Sequence, residues 1–282
     1  MRIFIDIDGV LARPDESAIA RLCNDEWRLG IEEERLIQIK ELNDFKAMPE
    51  VIARCGERDD TTFEFELGWM RFKPQAIRAD IVLAGAVSGV RHLSQLGAIS
   101  YCTARYSSSE TWQEDLSTAT QQWLEEQTFV NAYDVIFCNR IEGKLRYLCG
   151  IAKECDERLV LIDDSYPRIL ELIGQMSSAD RELLCRRLVL VAMYTREKPQ
   201  ETHGMRVLTL RRWQEIDCLV HTLKEEVVMK HFGDDEPGEL PNTPSPEDPG
   251  ELPNTPPPEG PKPGELPNTP PPEGPYDRDP RD

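Results

Sequence analysis

Short apolar runs recur along the chain and are separated by longer polar or helical segments. A run of about four to eight apolar residues bounded by turn-forming residues is typical of a buried strand. Strands that alternate with helices predict a parallel sheet with helices on both faces. We therefore predict an α/β fold, a Rossmann-like three-layer sandwich with a central parallel sheet, whose strands lie within residues 2–8, 98–103, 134–138, 158–162, 188–193 and, more weakly, 205–210.

The segment between the first two runs is too long for an ordinary crossover, which takes about a dozen residues. Its pattern is mostly helical, with a helix boundary near Gly85 or Gly89. We predict that residues 13–96 form a helical cap. The cap is inserted between strands 1 and 2 of a core domain made of residues 1–12 and 97–232.

The last 50 residues differ in composition from the rest of the chain. They contain 17 prolines, against 5 in the first 232 residues, and repeat the motif Pro-Gly-Glu-Leu-Pro-Asn-Thr-Pro from Pro237, Pro249 and Pro263. So few large apolar residues cannot form a core, and this proline content favours extended polyproline II. We predict that residues 233–282 are a disordered acidic Pro-rich tail. Its role is either that of a spacer or that of a ligand for a groove-type protein partner.

The net charge of −19 restricts the partners that the chain can bind. Nucleic acids and anionic membranes are bound through clustered lysine and arginine, so we expect neither as a partner. The longest apolar runs fall short of the roughly 18 residues of a membrane span. A small phosphorylated metabolite fits this charge, because a local pocket can be basic on an acidic protein.

The cysteines and the N-terminus bear on the compartment. The eight cysteines show neither Cys-x-x-Cys spacing nor the Cys/His cluster of a zinc site. The N-terminus enters a strand directly, without the charged and apolar stretches of a signal peptide. We expect a cytoplasmic protein with reduced thiols, and the oligomeric state stays open.

Two aspartates, Asp6 and Asp8, follow the first strand two residues apart, so their side chains start from one face. In parallel α/β sheets, ligands bind at the carboxyl ends of the strands. One carboxylate there can attack a phosphorus atom while the other exchanges a proton with the leaving oxygen. Alone, the pair is equally typical of a surface Asp-Gly turn.

Polar residues after later strands extend this cluster. Thr103 ends the second run, Asp163 and Asp164 follow the fourth, and Lys144 lies near the start of the helix between the third and fourth. Carboxylates at two strand ends are the hard oxygen ligands that Mg²⁺ prefers. A hydroxyl and an ammonium group can hold the oxygens of a phosphoryl group during transfer. The sequence therefore predicts a Mg²⁺ and phosphate site at one edge of the sheet.

Some of these residues have plainer alternatives. Arg140 and Lys153 compete with Lys144, which could itself be a solvated lysine at a helix start. Arg105 could reach a substrate phosphate or base, or it could pair with a carboxylate at the surface. Trp69 and Phe65 in the cap could stack on a nucleobase, although aromatic residues there more often form core.

The order of these residues resembles the four motifs of the haloacid dehalogenase (HAD) superfamily. The first, Asp-x-Asp-Gly-Val, begins at Asp6, and the others are Thr103, Lys144 and the aspartate pair at 163–164. The resemblance extends over the first ~220 residues and includes a cap between the first and second motifs. Dehalogenase members lack an acid two residues after the nucleophile, so Asp8 favours phosphate chemistry.

The resemblance implies roles for the acidic residues. Asp6 would be the nucleophile that forms an aspartyl-phosphate, and Asp8 would be first general acid and then base. Asp6, the backbone carbonyl of Asp8, Asp163 and Asp164 would bind the Mg²⁺ ion, with Asp164 acting directly or through water. The implied cofactor is Mg²⁺.

The resemblance also implies a phosphate-binding set. Thr103 would bind a phosphoryl oxygen, and Lys144 would neutralise charge beside the nucleophile. Ala104 and Arg105, which follow the threonine, complete the predicted phosphate-binding residues.

Within the superfamily, the chain is most similar to the 5'(3')-deoxyribonucleotidase-like group, on its Asp-Gly-Val start, its cap size and the ending at residues 207–216. This implies a Mg²⁺-dependent hydrolase of a small phosphomonoester such as a nucleoside monophosphate. The alternatives are a phosphotransferase or mutase with the same intermediate, a polynucleotide end phosphatase, and a non-catalytic scaffold that presents the tail.

Truncation after Gly233 tests whether the tail belongs to the catalytic unit. We expect turnover to stay within about twofold of the full chain, because such a segment contributes no packed core. Parallel steady-state assays of the full and truncated chains measure this. A loss of tenfold or more, on the order of 1.4 kcal/mol in activation free energy, would contradict the prediction.

Overall fold

The structure is a computed structural model that describes residues 1–55 and 60–232. The predicted Pro-rich tail at residues 233–282 lies outside the described residues. The described part contains eight strands: β1 (Arg2–Ile5), β2 (Ala12–Arg13), β3 (Ile81–Val82), β4 (Ala98–Thr103), β5 (Val135–Phe137), β6 (Leu159–Asp163), β7 (Leu188–Met193) and β8 (Arg206–Leu210).

Six of these strands form one parallel sheet in the order β5-β4-β1-β6-β7-β8. The chain builds outward from β1 on one side, crosses over, and builds outward on the other side. Strand β1 is therefore the point where the strand order reverses, and a crevice opens there beyond the carboxyl ends of the strands. The predicted α/β fold with a central parallel sheet is confirmed, with each predicted strand in place.

The helices that the structure describes cover both faces of this sheet or build the insert after β1. They are α1 (Glu16–Trp27), α2 (Glu33–Leu36), α3 (Leu42–Lys46), α4 (Pro49–Cys55), α5 (Asp60–Arg71), α6 (Pro74–Ala79), α7 (Ala86–Leu93), α8 (Glu110–Glu126), α9 (Arg140–Glu154), α10 (Tyr166–Gln175), α11 (Ser178–Arg187) and α12 (Ile216–Phe232).

Side-chain alternation along the strands produces the two apolar layers. Ile3 and Ile5 in β1 pack on one face with α7, α8 and α12, whereas Phe4 packs on the other face with α9, α10 and α11. Successive residues of a strand point to opposite faces, so a strand that is apolar throughout must be covered on both. The continuous apolar runs of the sequence thus account for the three layers.

The insert is joined to the sheet by a small antiparallel pair, β2 with β3. The chain leaves toward the insert through β2 and returns through β3, and the Leu83 amide donates a 2.8 Å hydrogen bond to the Leu11 carbonyl. The two connections are therefore held side by side. The outgoing connection, β2, begins four residues after Asp8.

The insert has an apolar cluster of its own, which runs from Ile19 to Ala76 and includes Trp27 and Phe45. Helix α7 instead shares the cluster of the central sheet, through Val90 and Leu93. The division between the two apolar clusters falls within α6, because Ala76 belongs to the cluster of the insert and Ile77 to that of the sheet. The predicted cap boundary between residues 96 and 97 stays a prediction. A helix that directly precedes a strand of a parallel sheet packs on that sheet as its crossover.

Glycine is required at positions 85 and 89 for different structural reasons. Gly85 precedes α7 with φ +84°, which a residue without a Cβ adopts readily, and the helix boundary predicted near it is confirmed. Gly89 lies inside α7, where a Cβ would overlap the ring of Trp213. The indole of Trp213 thus packs directly on the backbone of α7.

Free thiols occur at Cys23, Cys102, Cys138, Cys149, Cys155, Cys185 and Cys218. Cys102 and Cys138 are buried on neighbouring strands with their sulfur atoms 3.6 Å apart, and free buried cysteines act as small apolar residues. Over residues 1–55 and 60–232, the structure contains no helix with the length and apolar character needed to cross a membrane.

Candidate active site

The predicted site residues meet at the carboxyl edge of the sheet. Asp6 directly follows β1, Thr103 ends the neighbouring β4, and Asp163 ends β6 on the other side of β1. Because β1 lies between the other two strands, residues far apart in sequence reach one small volume. All three side chains are buried.

Lys144 completes the centre of this cluster. Its ammonium group lies 2.8 Å from Asp6 Oδ2 and 2.9 Å from Asp163 Oδ2, and the residue is 1% exposed. It belongs to the buried face of α9 together with Leu145 and Leu148, which places the lysine stem in the apolar layer. A buried ammonium needs such partners, because removing it from water is costly.

The alternatives to Lys144 lie elsewhere. Lys153 is exposed and pairs with Asp180 at 2.8 Å, and Arg140 is an exposed residue at the start of α9. Of the three candidates, Lys144 is therefore the residue whose side chain contacts Asp6.

The buried charges shift one another's pKa values. Burial raises the pKa of Asp6 to about 8, against the opposing effect of Lys144. Burial lowers the pKa of Lys144, but the carboxylates of Asp6 and Asp163 outweigh this, so the net shift is upward. Burial and the neighbouring Asp163 also raise the pKa of Asp164. The cluster holds more carboxylates than one ammonium balances, and a bound cation would lower these pKa values.

Asp6, Asp163 and Asp164 are grouped closely enough to hold a metal ion. Each offers a carboxylate oxygen, and these oxygens lie within 4.8 Å of one another. An all-oxygen, carboxylate-rich set suits a hard cation such as Mg²⁺ or Ca²⁺. The donor chemistry therefore fits the predicted metal. The predicted contribution of Asp8, through its backbone carbonyl, stays a prediction.

The turn after Asp8 is packed against this group. Gly9 has φ +74°, and a Cβ at this position would overlap the carboxylate of Asp164. The turn is fixed from the other side, because the Val10 carbonyl accepts hydrogen bonds from Trp213 Nε1 at 2.7 Å and from the Tyr194 hydroxyl at 3.2 Å. Gly9 is thus required both for its backbone angle and for its lack of a side chain.

Asp8 is held by a different cation from the one that holds Asp6. Arg105 Nε lies 2.9 Å from Asp8 Oδ2, and its Nη2 lies 2.7 Å from Oδ1. The Thr103 hydroxyl lies 3.4 Å from Asp8 Oδ2. Burial would raise the pKa of Asp8, but the Arg105 guanidinium outweighs it and lowers the pKa below its ordinary value.

The Arg105 side chain differs from its predicted phosphate-binding role. It is 1% exposed, and its guanidinium is bound to Asp8 and to Asp80, whose Oδ2 lies 2.6 Å from Nη2. Arg105 therefore pairs with carboxylates, which was the alternative prediction, but it does so in the interior and not at the surface. A contact with phosphate would require these ion pairs to break. Ala104, exposed between Thr103 and Arg105, keeps its predicted role as a prediction.

Asp80 was not among the residues predicted from sequence. It follows α6 at the point where the chain returns from the insert, and its side chain is 7% exposed. Burial raises its pKa to about 7, against the opposing effect of Arg105. Its partner lies 25 residues along the chain. Separation of this kind leaves no local sequence pattern, so only the packing of α6 on the core reveals the pair.

Aromatic side chains link the insert to the core. Trp69 in α5 stacks on Trp112 in α8, with ring centroids 4.7 Å apart and planes 13° apart. Trp69 remains 43% exposed, and Phe65 and Tyr106 are also exposed. Trp69 and Phe65 therefore lie outside the apolar cluster of the insert, contrary to the alternative that they form its core.

Comparison with known proteins finds similarity at the level of solved structures. Neither a protein-family model nor a curated protein matches the sequence. The chain is similar to the HAD-hydrolase YfnB from Bacillus subtilis bound to magnesium, with 13% identity, a TM-score of 0.44, and coverage of 78% of this chain and 97% of that chain.

Two further structures are similar to a comparable degree. A haloacid dehalogenase-like hydrolase from Streptococcus pneumoniae has 13% identity and a TM-score of 0.43, with 77% of this chain and 97% of that chain covered. A hydrolase of the same description from Xanthomonas campestris has 14% identity and a TM-score of 0.42, with 81% and 98% covered. At identities of 13–14%, this similarity concerns the fold alone.

Substitution of Gly9 by alanine tests the packing of the turn on the metal-binding group. We expect Gly9→Ala to reduce turnover by at least tenfold, because its Cβ would displace the Asp164 carboxylate. The measurement is steady-state turnover alongside the melting temperature.

Gly30→Ala provides a matched control. Gly30 has φ +71°, and a Cβ there would meet nothing within 4 Å. Both substitutions cost about 1–2 kcal/mol of left-handed backbone strain, but only the first crowds Asp164. Equal turnover in the two variants would show that the close approach of Gly9 to Asp164 does not matter for the site.

Proposed function

We propose that this chain is a magnesium-dependent phosphatase that hydrolyses a small phosphomonoester through an aspartyl-phosphate on Asp6. The resemblance of its motif order to the HAD superfamily motivates the proposal, and the geometry of the sheet edge supports it. A nucleophilic carboxylate, a second carboxylate, a hydroxyl and an ammonium group are the parts that phosphoryl transfer through a covalent intermediate needs.

One observation carries this proposal. Asp6 lies 2.8 Å from the buried ammonium of Lys144 and within 4.8 Å of carboxylate oxygens of Asp163 and Asp164, at the reversal point of a parallel sheet. A group of three acids, two of them buried, around one buried lysine is unfavourable for stability alone. A site that binds a cation and an anionic substrate gives a reason for it.

Each residue has a defined part in the proposed reaction. A carboxylate oxygen of Asp6 attacks phosphorus, and the leaving oxygen takes a proton from Asp8. Lys144 balances the charge of Asp6 before the attack and that of the phosphoryl oxygens after it. Water then attacks the aspartyl-phosphate, Asp8 accepts its proton, and inorganic phosphate leaves.

Mg²⁺, when bound by Asp6, Asp163 and Asp164, would neutralise charge on the phosphoryl group. Asp163 is fixed for this purpose by two features besides its contact with Lys144. It ends a fully buried strand, and its Oδ1 accepts a 2.8 Å hydrogen bond from the Ser165 amide. Oriented carboxylates bind a cation without first having to be ordered.

The substrate class we propose first is the nucleoside monophosphates, in keeping with the similarity to the deoxyribonucleotidase-like group. Trp69 and Tyr106 offer exposed aromatic surface on which a base could stack, and Tyr106 follows Arg105 directly after the Thr103 strand. We also propose a cytoplasmic location, since Cys102 and Cys138 are free thiols although their sulfur atoms lie 3.6 Å apart.

Substitution of the proposed nucleophile tests the reaction. We expect Asp6→Asn to lower turnover by roughly 10³-fold or more, because the amide cannot form the covalent intermediate. Phosphate release is measured over a panel of nucleoside, sugar and aryl phosphates with Mg²⁺ present, with Mg²⁺ removed by a chelator, and with Mg²⁺ restored.

Asp134→Asn is the control for the loss of one carboxylate. Asp134 is exposed at the opposite, N-terminal edge of the sheet, before β5, so its removal should leave turnover unchanged. Turnover that survives in Asp6→Asn, or that persists at full rate without divalent cations, would contradict the proposed function.

A further inference from the structure

The guanidinium of Arg105 joins two acids that belong to different parts of the fold. On one side it binds Asp8, in the turn after β1, with two nitrogens at 2.7 and 2.9 Å. On the other side it binds Asp80, where the insert returns to the core, at 2.6 Å. This bridge connects the proposed proton-transfer residue to the insert.

The two acids differ in their access to solvent. The side chain of Asp8 is 46% exposed, whereas that of Asp80 is 7% exposed and that of Arg105 is 1% exposed. Asp8 therefore faces the open side of the site, and Asp80 lies behind the guanidinium. Arg105 and Asp80 form the buried, fixed part of this bridge, and Asp8 is bound to it through the Arg105 guanidinium.

Further contacts hold this fixed part in place. The Asp80 carbonyl accepts a 2.9 Å hydrogen bond from Trp123 Nε1, and Arg105 Nη1 lies 3.4 Å from the Thr120 hydroxyl. Both partners are buried residues of α8. Arg105 thus has little freedom to turn toward the site. A rigid guanidinium fork fixes both the position and the orientation of the carboxylate it binds.

We propose that Arg105 and Asp80 are positioning residues that orient the Asp8 carboxylate toward the water that hydrolyses the aspartyl-phosphate. This inference rests on the proposed function. Neither residue touches the substrate in this role. Arg105 acts through Asp8, and Asp80 acts through Arg105.

The step at issue is the second half of the reaction. The water oxygen forms a bond to phosphorus, and the bond between phosphorus and the Asp6 oxygen breaks. The electron pair of that bond returns to the Asp6 carboxylate, and the water proton passes to Asp8. The Asp8 proton is then released to solvent or to the next leaving group.

Aryl phosphates as substrates distinguish the two halves of the reaction, phosphorylation and dephosphorylation of Asp6. Nitrophenolate is a stable anion and leaves with little need of a proton, so the first half tolerates a misplaced Asp8. The second half requires a base for water with every substrate. Loss of the positioning residues should therefore slow dephosphorylation of the enzyme while leaving its phosphorylation by p-nitrophenyl phosphate nearly intact.

Rapid-quench kinetics with p-nitrophenyl phosphate and Mg²⁺ test this. Asp80→Asn keeps the size of the side chain and removes its charge, and we expect a steady-state rate about tenfold lower, within the range of base catalysis. A burst of nitrophenolate approaching one per active site should precede it, with Asp6 phosphorylated in the quenched protein. Asp134→Asn should show the wild-type course.

If thermal melting shows that Asp80→Asn is not folded, Arg105→Lys serves as the second variant. It keeps the positive charge but loses the fork that binds Asp8 through two nitrogens, so it should also accumulate phosphoenzyme. Equal slowing of the burst and of the steady state would indicate a merely structural role and would overturn the inference, as would an unchanged steady-state rate.

Failure of the proposed function gives a different result. A wild-type protein that neither turns over aryl phosphate nor becomes phosphorylated removes the proposed function, and the inference with it. A wild-type protein that does both, beside folded variants that do not accumulate phosphoenzyme, overturns only the roles of Arg105 and Asp80.

Discussion

The burial of Lys144 between Asp6 and Asp163 is the interaction on which the arrangement of the sheet edge depends. Its ammonium lies 2.8 and 2.9 Å from the two carboxylates and is almost inaccessible to water. Removing one member would leave a buried charge without its partner, at a cost of about 3–5 kcal/mol. The triad therefore fixes the ends of β1 and β6 and the start of α9 relative to one another.

Two separate cations hold the two aspartates that follow β1. Lys144 binds Asp6 from the helix on one face of the sheet, and Arg105 binds Asp8 from the loop after β4. Each cation lowers the pKa of the acid it binds, but the net shift of the pKa is upward for Asp6, where burial prevails, and downward for Asp8, where the guanidinium prevails. The two acids thus lie in unlike surroundings, and a bound cation would lower the pKa of Asp6 toward the ionised form that attacks phosphorus.

Local patterns in the sequence were sufficient to predict the sheet and most of the cluster. Asp6, Thr103 and Asp163 end apolar runs, and strand ends of a parallel sheet share one edge, so their convergence followed from periodicity. Asp80 could not be predicted this way, because its significance comes from α6 packing beside α8. Arg105 was identified with two alternative partners, a phosphate or a carboxylate, since sequence does not show whether a cation after a strand faces the cleft or the interior.

The central claim, a covalent phosphate on Asp6, can be tested by trapping it. The protein is mixed with a phosphomonoester that it turns over and Mg²⁺, quenched, and reduced with borohydride, which converts an aspartyl-phosphate to homoserine. Trypsin does not cleave the bond between Arg13 and Pro14, so cleavage after Arg2 and Arg21 isolates residues 3–21, and tandem mass spectrometry locates the change. Homoserine at position 6 is the predicted result. Homoserine at position 8, or an unmodified peptide from a protein that is turning over substrate, would contradict the account.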